Sequence, residues 1–95
     1  MEPENTNMVI RPGQIIRHFK RDLCDPGLHD KNWYLYKVIA IAKHSETKEP
    51  MMVYQALYDT FEVYARPLSM VFEPTDKVKY PRATQEHRFE IVRDM

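Results

Sequence analysis

The sequence predicts an all-β protein: a small, five-stranded, half-open barrel of the SH3-like kind with one short helical turn. Three observations lead to this class. Several short runs are rich in valine, isoleucine and aromatic residues, tight polar turns separate them, and no long amphipathic helical pattern occurs. An α+β arrangement is the alternative.

The predicted strands are short and end at turns or polar loops. They cover residues 15–20, 34–42, 51–58, 61–66 and 88–92. The first follows an Arg-Pro-Gly turn and ends in basic residues, and a long polar surface loop over residues 21–32 comes after it. The second contains no strand breaker and is linked to the third by a polar hairpin loop over residues 43–50.

The third and fourth predicted strands are joined by turn chemistry that begins at Asp59. The third is apolar on both faces, whereas the fourth alternates apolar with polar residues, which indicates one solvent-facing side. Pro67 cannot donate to a ladder, so Arg66 is expected at a strand end. A helical turn over residues 68–72 follows, and a loop over residues 73–85 leads to the last strand.

The predicted core consists of the apolar positions that fall on consistent faces of these strands and of the helical turn. They are Ile15, Phe19, Val38, Ala40, Val53, Leu57, Val63, Leu68, Phe72, Phe89 and Ile91.

Length and composition limit the architecture and the partners. The chain has 95 residues, enough for one domain, predicted over residues 11–95 behind a flexible tail at residues 1–10. Its 14 basic and 14 acidic side chains cancel, which argues against general nucleic-acid binding. Cys24 is the only cysteine and no apolar run approaches the roughly 20 residues of a membrane span, so a cytoplasmic location is expected.

Four short motifs occur in a fixed order along the chain. They are Arg-His-Phe-Lys at 17–20, His-Ser-Glu-Thr at 44–47, Val-Tyr-Gln-Ala-Leu-Tyr at 53–58 and Arg-Pro-Leu at 66–68. Together they resemble the bacterial domain-of-unknown-function family numbered 1653, over nearly the whole chain after residue 11. The resemblance implies one free-standing small domain and implies no activity.

The chain departs from that family pattern at two places. Arg21 begins an insertion that extends to Asn32, where the family usually has glycine, and Tyr64-Ala65 stands where a tryptophan is usual. If the lengthened first hairpin borders a binding site, the ligand of this chain differs from that of typical members.

Sequence motifs for metal, cofactor or nucleophile chemistry are weak. No pair of histidines or cysteines has ligand spacing, and only two glycines occur, too few for a phosphate-binding loop. Cys24 lies between Asp22 and Asp25, which disfavours a reactive thiolate. We therefore expect no metal, no cofactor and no catalytic residue, although His44 and Glu46 could form an acid/base pair across a hairpin turn.

One group of polar and aromatic residues is predicted to meet near one edge of the sheet and to bind a ligand. It comprises Arg17, His18, His44, Glu46, Tyr54, Tyr58 and Arg66. Arginine and histidine donors together with tyrosine rings suit a planar anion such as a nucleotide, a carboxylate metabolite or a chain terminus. The competing interpretation is an internal ion pair of Arg66 with Glu46 or Glu62.

The leading functional hypothesis is a cytoplasmic, non-enzymatic binding module for an anionic or planar small ligand or for a partner peptide. A nucleic-acid-associated accessory protein is the second, and it requires a basic patch formed by Arg11, Arg17, Lys20 and Arg21. A small hydrolase or isomerase that uses His44 and Glu46 is the third. A homodimer is also predicted, because two strands are apolar on both faces.

Overall fold

A computed structural model describes residues 9–24 and 31–93 of the chain. The elements in chain order are β1 (Ile15–His18), the 3₁₀ helix η1 (Phe19–Leu23), β2 (Leu35–Lys43), β3 (Pro50–Ala56), β4 (Val63–Pro67), the 3₁₀ helix η2 (Leu68–Met70) and β5 (Phe89–Arg93). All strand pairs are antiparallel, in one sheet of order β4-β3-β2-β1-β5. The all-β prediction is confirmed, and the sheet is not closed, which agrees with a half-open barrel.

The sheet curls so that its two edge strands, β4 and β5, approach each other over a shared core. Phe89 at the start of β5 packs edge-on against Tyr36 of β2 and Tyr54 of β3, with ring centroids 5.8 and 5.5 Å apart. The guanidinium of Arg66 in β4 lies 5.6 Å from the centre of the same Phe89 ring. The open side of the barrel is therefore bounded by one residue from each edge strand.

The buried hydrophobic residues agree only in part with the predicted core. They are Ile16, Phe19, Tyr36, Val38, Met52, Tyr54, Ala56, Val71, Ala83 and Phe89. Phe19, Val38 and Phe89 were predicted correctly, and the predicted residues Leu68, Phe72 and Ile91 are partly buried against this cluster. The prediction was wrong for Ile15, Ala40, Val53 and Leu57, which are half-buried, and for Val63, whose exposed fraction is 57%.

These errors concern which side of each strand faces the core. In β1 each alternate set contains one isoleucine, and in β3 both sets are largely apolar, so the sequence does not mark the inner set, which is Ile16 in β1 and Met52, Tyr54 and Ala56 in β3. In β2 the register shifts between Val38 and Ala40. Strict alternation puts those two residues on one face, but the irregularity turns Ala40 to the outer face.

The segment after β1 also differs from the prediction. The strand ends at His18 rather than at Lys20, and residues 19–23 form η1 instead of the start of an open loop. The Nδ1 atom of His18 accepts a hydrogen bond from the backbone N–H of Lys20 at 3.1 Å, which caps the helix. Residues 25–30 of the predicted insertion and residues 1–8 of the predicted tail lie outside the described residues.

Among the described residues, no helix has the length and apolar composition that crossing a bilayer requires.

Strand facing can be tested with two isoleucines that are adjacent in sequence. Ile16 is fully buried and Ile15 is half-buried on the other face of β1. We expect Ile16→Ala to lower the free energy of unfolding by about 2–5 kcal/mol, the usual effect of a large-to-small change in a core. Ile15→Ala should cost less than half as much in chemical denaturation. Equal losses, or a larger loss for Ile15→Ala, would contradict the observed facing.

The homodimer stays a prediction, and the outer face of the sheet is its candidate interface. Ala40, Val53 and Ala65 form one uncharged row across β2, β3 and β4, and Val63 of β4 is exposed beside it. Sedimentation should show a dimer at high concentration that Val63→Glu dissociates. Val78→Glu is the matched control, because Val78 is exposed by 94% and lies in the loop before β5. A monomeric wild type, or equal effects of both variants, would reject this interface.

Candidate functional site

A cavity of about 340 Å³ opens between the end of β1, the end of β4 and the loop of residues 71–88. Its polar lining comprises His18, Lys20, Arg66, Thr75, Asp76, Lys79 and Arg88. Four of these side chains are cationic and one is acidic, although the chain as a whole has no net charge. We call this space the basic cavity.

Three residues that line the basic cavity also have a buried side-chain atom without a hydrogen-bond partner among the described residues. The atoms are Nε of Arg66, Nε of Arg88 and Oγ1 of Thr75. Buried donors are nearly always paired in native proteins, and leaving one unpaired costs about 1–3 kcal/mol or more for a charged group. Each of these three atoms exposes less than 1 Å² of surface, so it is covered by the protein and is not open to the cavity.

Strand alternation explains how Arg66 reaches this cavity. Arg66 lies opposite Met52 and Tyr64 lies opposite Tyr54, so both β4 side chains project to the inner face of the sheet. In the described part of the chain Arg66 forms no salt bridge, either to Glu46 or Glu62 or to any other carboxylate. The internal ion pairs considered from the sequence are therefore not formed.

Arg88 is placed by the main chain next to the first residue of β5. Its backbone N–H donates to the carbonyl of Glu73 at 2.7 Å, and its guanidinium forms a 2.9 Å salt bridge with the Glu73 carboxylate. This bond uses one terminal nitrogen and leaves Nε unpaired. Glu73 therefore orients Arg88 without satisfying all its donors.

His18 forms the wall between the cations and the core. Its ring stacks on Phe19 at 4.6 Å and meets Phe89 edge-on at 4.9 Å. Burial, followed by the neighbouring charges of Lys20, Arg88 and Arg66, lowers the pKa of His18 to about 4. The ring is therefore neutral at pH 7, and because Nδ1 accepts a hydrogen bond, its proton is assigned to Nε2.

A second cavity, of about 210 Å³, adjoins the first and shares His18, Lys20 and Arg66 with it. Its other walls are aromatic: Tyr34, Tyr36, Tyr54, Tyr64 and Phe89. We call it the aromatic cavity. The hydroxyl groups of Tyr36 and Tyr58 are 2.7 Å apart and hydrogen-bonded, and burial raises the pKa of Tyr36 well above its usual range, so this hydroxyl stays protonated.

The family model described as "Protein of unknown function (DUF1653)" matches residues 14–91. The chain belongs to this family. The matched region contains every residue that lines the two cavities. No curated protein and no solved structure matches the chain.

The DUF1653 fold brings some of the predicted site residues together. His18, Tyr54 and Arg66 line the aromatic cavity, and Tyr58 lies beside it through its bond to Tyr36. Arg17 is engaged elsewhere, because its Nε donates to Oε1 of Gln85 at 2.8 Å and its guanidinium lies 3.6 Å from Glu90.

His44 and Glu46 lie in the β2–β3 hairpin loop, at the other end of β2 from Tyr36 and roughly 25 Å away at about 3.3 Å per residue. The Nδ1 atom of His44 accepts the backbone N–H groups of Glu46 and Thr47 at 3.1 and 3.3 Å. These bonds match the turn-forming role that was the alternative to an acid/base pair.

Sequence reasoning missed most of the residues that complete the site. Lys20 ends the recognised Arg-His-Phe-Lys run, and Arg88 precedes the predicted core residue Phe89, so their positions gave a usable signal. Thr75 and Lys79 gave none, because only the course of the 71–88 loop places them at the cavity. No group of three or more metal-ligating His, Cys, Asp or Glu side chains occurs in residues 9–24 and 31–93.

The burial of neutral His18 predicts a pH-dependent stability. Between pH 6.5 and pH 4 the unfolded chain binds a proton at His18 that the folded chain does not, so the free energy of unfolding falls as the pH falls. A pKa of about 4 against 6.5 corresponds to a loss of roughly 2–4 kcal/mol across this window.

The measurement is chemical denaturation of wild type and two variants at several pH values. His18→Asn keeps an acceptor for the Lys20 N–H but does not titrate, so its stability should decrease less over this window. His44→Asn is the control, because His44 also caps backbone N–H groups but in an exposed turn, and it should retain the wild-type loss. Identical pH profiles for wild type and His18→Asn would contradict the assignment.

Proposed function

We propose that the chain is a small, non-enzymatic binding module whose ligand places an anionic group in the basic cavity. The observation that carries this proposal is the convergence of four cationic side chains, those of Lys20, Arg66, Lys79 and Arg88, on one cavity whose lining contains a single carboxylate, that of Asp76. An anion would offset the repulsion among these cations.

The strength of such binding follows from geometry. A guanidinium presents donors in a fixed fork that matches carboxylate and phosphate oxygens, and hydrogen bonds to charged groups are worth about 1.5–3 kcal/mol each. Arg66 and Arg88 come from a strand and from a loop end that is hydrogen-bonded to Glu73, so both are pre-oriented. Pre-orientation favours binding because fewer side chains must be ordered when the ligand arrives.

Two features favour a small ligand over a polynucleotide. Lys20 and Arg66 line a cavity, whereas phosphate tracking requires a basic stripe along the surface. Other members of the proposed basic patch are engaged within the protein: Arg17 with Gln85, and Arg21 with the carbonyl of Trp33 at 2.6 Å.

The state of His18 favours binding over catalysis. A general base must accept a proton from its substrate, but Nδ1 of His18 already accepts the Lys20 N–H and Nε2 carries the proton of the neutral ring. His18 is therefore a hydrogen-bond donor to a ligand. We place the module in the cytoplasm because a single cysteine suits a reducing compartment.

Arg66→Lys tests the anion site. Lysine keeps the charge but lacks the forked donors, so binding of phosphate or pyrophosphate should weaken by about 1.5–3 kcal/mol. The melting temperature without ligand should change little, because Arg66 forms no salt bridge in the described part of the chain. Titration calorimetry with phosphate, pyrophosphate and small carboxylates measures the affinity, and thermal unfolding measures the stability.

Arg93→Lys is the matched control, because Arg93 is exposed at the end of β5. It should bind every anion as wild type does. Equal anion affinities for wild type and Arg66→Lys, together with a destabilised Arg66→Lys protein, would show a structural arginine and reject the proposal.

A further inference from the structure

We infer that the ligand has two parts, an aromatic ring and a phosphate group as in a nucleoside monophosphate, with the phosphate in the basic cavity and the ring in the aromatic cavity. This inference rests on the proposed anion site and names the class of ligand that the site takes.

Continuity of the two cavities is the first step. His18, Lys20 and Arg66 line both, so the cavities meet along these side chains. A ligand that fills only the basic cavity leaves the adjoining aromatic surface exposed to solvent. Ligand sites are typically about 300–1,000 Å³ with mostly apolar walls and a few convergent polar groups, a description that fits the pair better than the basic cavity alone.

The basic cavity suits phosphate better than carboxylate. A phosphate monoester carries about −1.5 to −2 charge and three acceptor oxygens, whereas a carboxylate carries one charge and two oxygens. Lys20, Arg66, Lys79 and Arg88 oppose one lining carboxylate, Asp76, whose Oδ1 already accepts two backbone N–H groups. The positive charge remains in excess after the Glu73–Arg88 salt bridge is included.

The positions of the cations lead to the same conclusion. Lys20 lies in η1, Arg66 in β4, and Lys79 and Arg88 in the 71–88 loop. One group with several acceptor oxygens can bind donors that approach from different directions.

The aromatic cavity offers faces for a ring. Tyr64 lies on the edge strand β4 with 44% of its surface exposed, and its ring is tilted by 36° to Tyr54 at 5.6 Å. Tyr36 and Phe89 close the floor behind them. A base stacked on an aromatic side chain gains about 1–3 kcal/mol, and every base has a face to offer.

The positive charge of the cavity wall argues against a cation, the other common ligand of a tyrosine-lined cavity. Clustered aromatic rings also bind cations such as quaternary ammonium groups. Here Lys20 and Arg66 lie in the wall of the aromatic cavity and would repel a cation. The ligand that suits both cavities is therefore a neutral or electron-rich ring attached to an anionic group.

The backbone at Tyr34 is strained beside the same cavity. Its φ of 65° is in the left-handed region, which is an outlier for a bulky residue and costs on the order of 1–3 kcal/mol. This conformation starts β2 with the Tyr34 ring 5.8 Å from His18 and 5.7 Å from Tyr58. Lys48, Asp59 and Phe61 also have positive φ and lie in turns away from both cavities, whereas Tyr34 supplies a wall of the aromatic cavity.

The test compares inorganic phosphate, the four ribonucleoside 5′-monophosphates and the matching nucleosides by titration calorimetry on the full chain. At least one monophosphate should bind ten times or more tighter than phosphate and than its own nucleoside. Tyr64→Ala should lower that affinity about fivefold or more while leaving phosphate binding unchanged, since stacking alone is lost. Tyr64→Phe should restore it.

Phe61→Ala is the control, because Phe61 is an exposed aromatic residue in the β3–β4 turn and does not line the aromatic cavity. It should bind all ligands as wild type does. Phosphate that binds as tightly as every monophosphate, or a Tyr64→Ala variant with unchanged affinities, would overturn the two-part ligand and leave the anion site standing. Absence of binding by phosphate and by every monophosphate would overturn both proposals.

Discussion

The burial of one aromatic ring, that of Phe89, joins the fold of this protein to its candidate site. Phe89 is 1% exposed and packs against Tyr36, Tyr54 and His18, which come from three other strands. Arg66 covers the same ring from the opposite edge strand. An open sheet of this size must curl in order to bury its inner face. The Phe89 ring packs inside the curled sheet and so fixes the distance between the edge strands β4 and β5. The candidate site lies between these edges, where the sheet does not close.

The candidate site combines features that do not favour folding by themselves. Cations gather over an apolar floor, the Nε donors of Arg66 and Arg88 are buried without a partner among the described residues, and a neutral His18 lies among positive charges. Each feature raises the free energy of the folded chain without ligand. The rest of the sheet must offset this, through ladder bonds and through the buried set around Ile16, Val38 and Met52. A binding site is expected to contain such features, because its residues are arranged for the ligand at a cost in the stability of the folded chain.

Local patterns predicted the fold class and the strand positions well, because β-favouring runs and turn residues act over a few residues. They also placed Tyr64 and Arg66 on one face of β4, but they assigned Val63 to the core, whereas the face of Tyr64 and Arg66 is the inner one. They failed where the information is not local. Which face of β3 is inner depends on its neighbours, and a register shift in β2 moved Ala40 outward. Thr75 reaches the site only because the 71–88 loop folds back, which no periodicity encodes.

That loop is held by a small hydrogen-bonded network around the buried side chain of Gln85, and the network gives Arg17 a role different from ligand contact. The Gln85 side chain accepts from Arg17 Nε and donates back to the Arg17 carbonyl, while the carboxylate of Asp22 accepts the backbone N–H groups of Thr84 and Gln85. Strand β1, helix η1 and the loop are thereby joined in one hydrogen-bonded unit. Because the loop supplies the lining cations Lys79 and Arg88 of the basic cavity, its attachment sets their distance from Lys20 and Arg66. Arg17, the first residue of the Arg-His-Phe-Lys motif, therefore affects the site indirectly, by positioning the 71–88 loop.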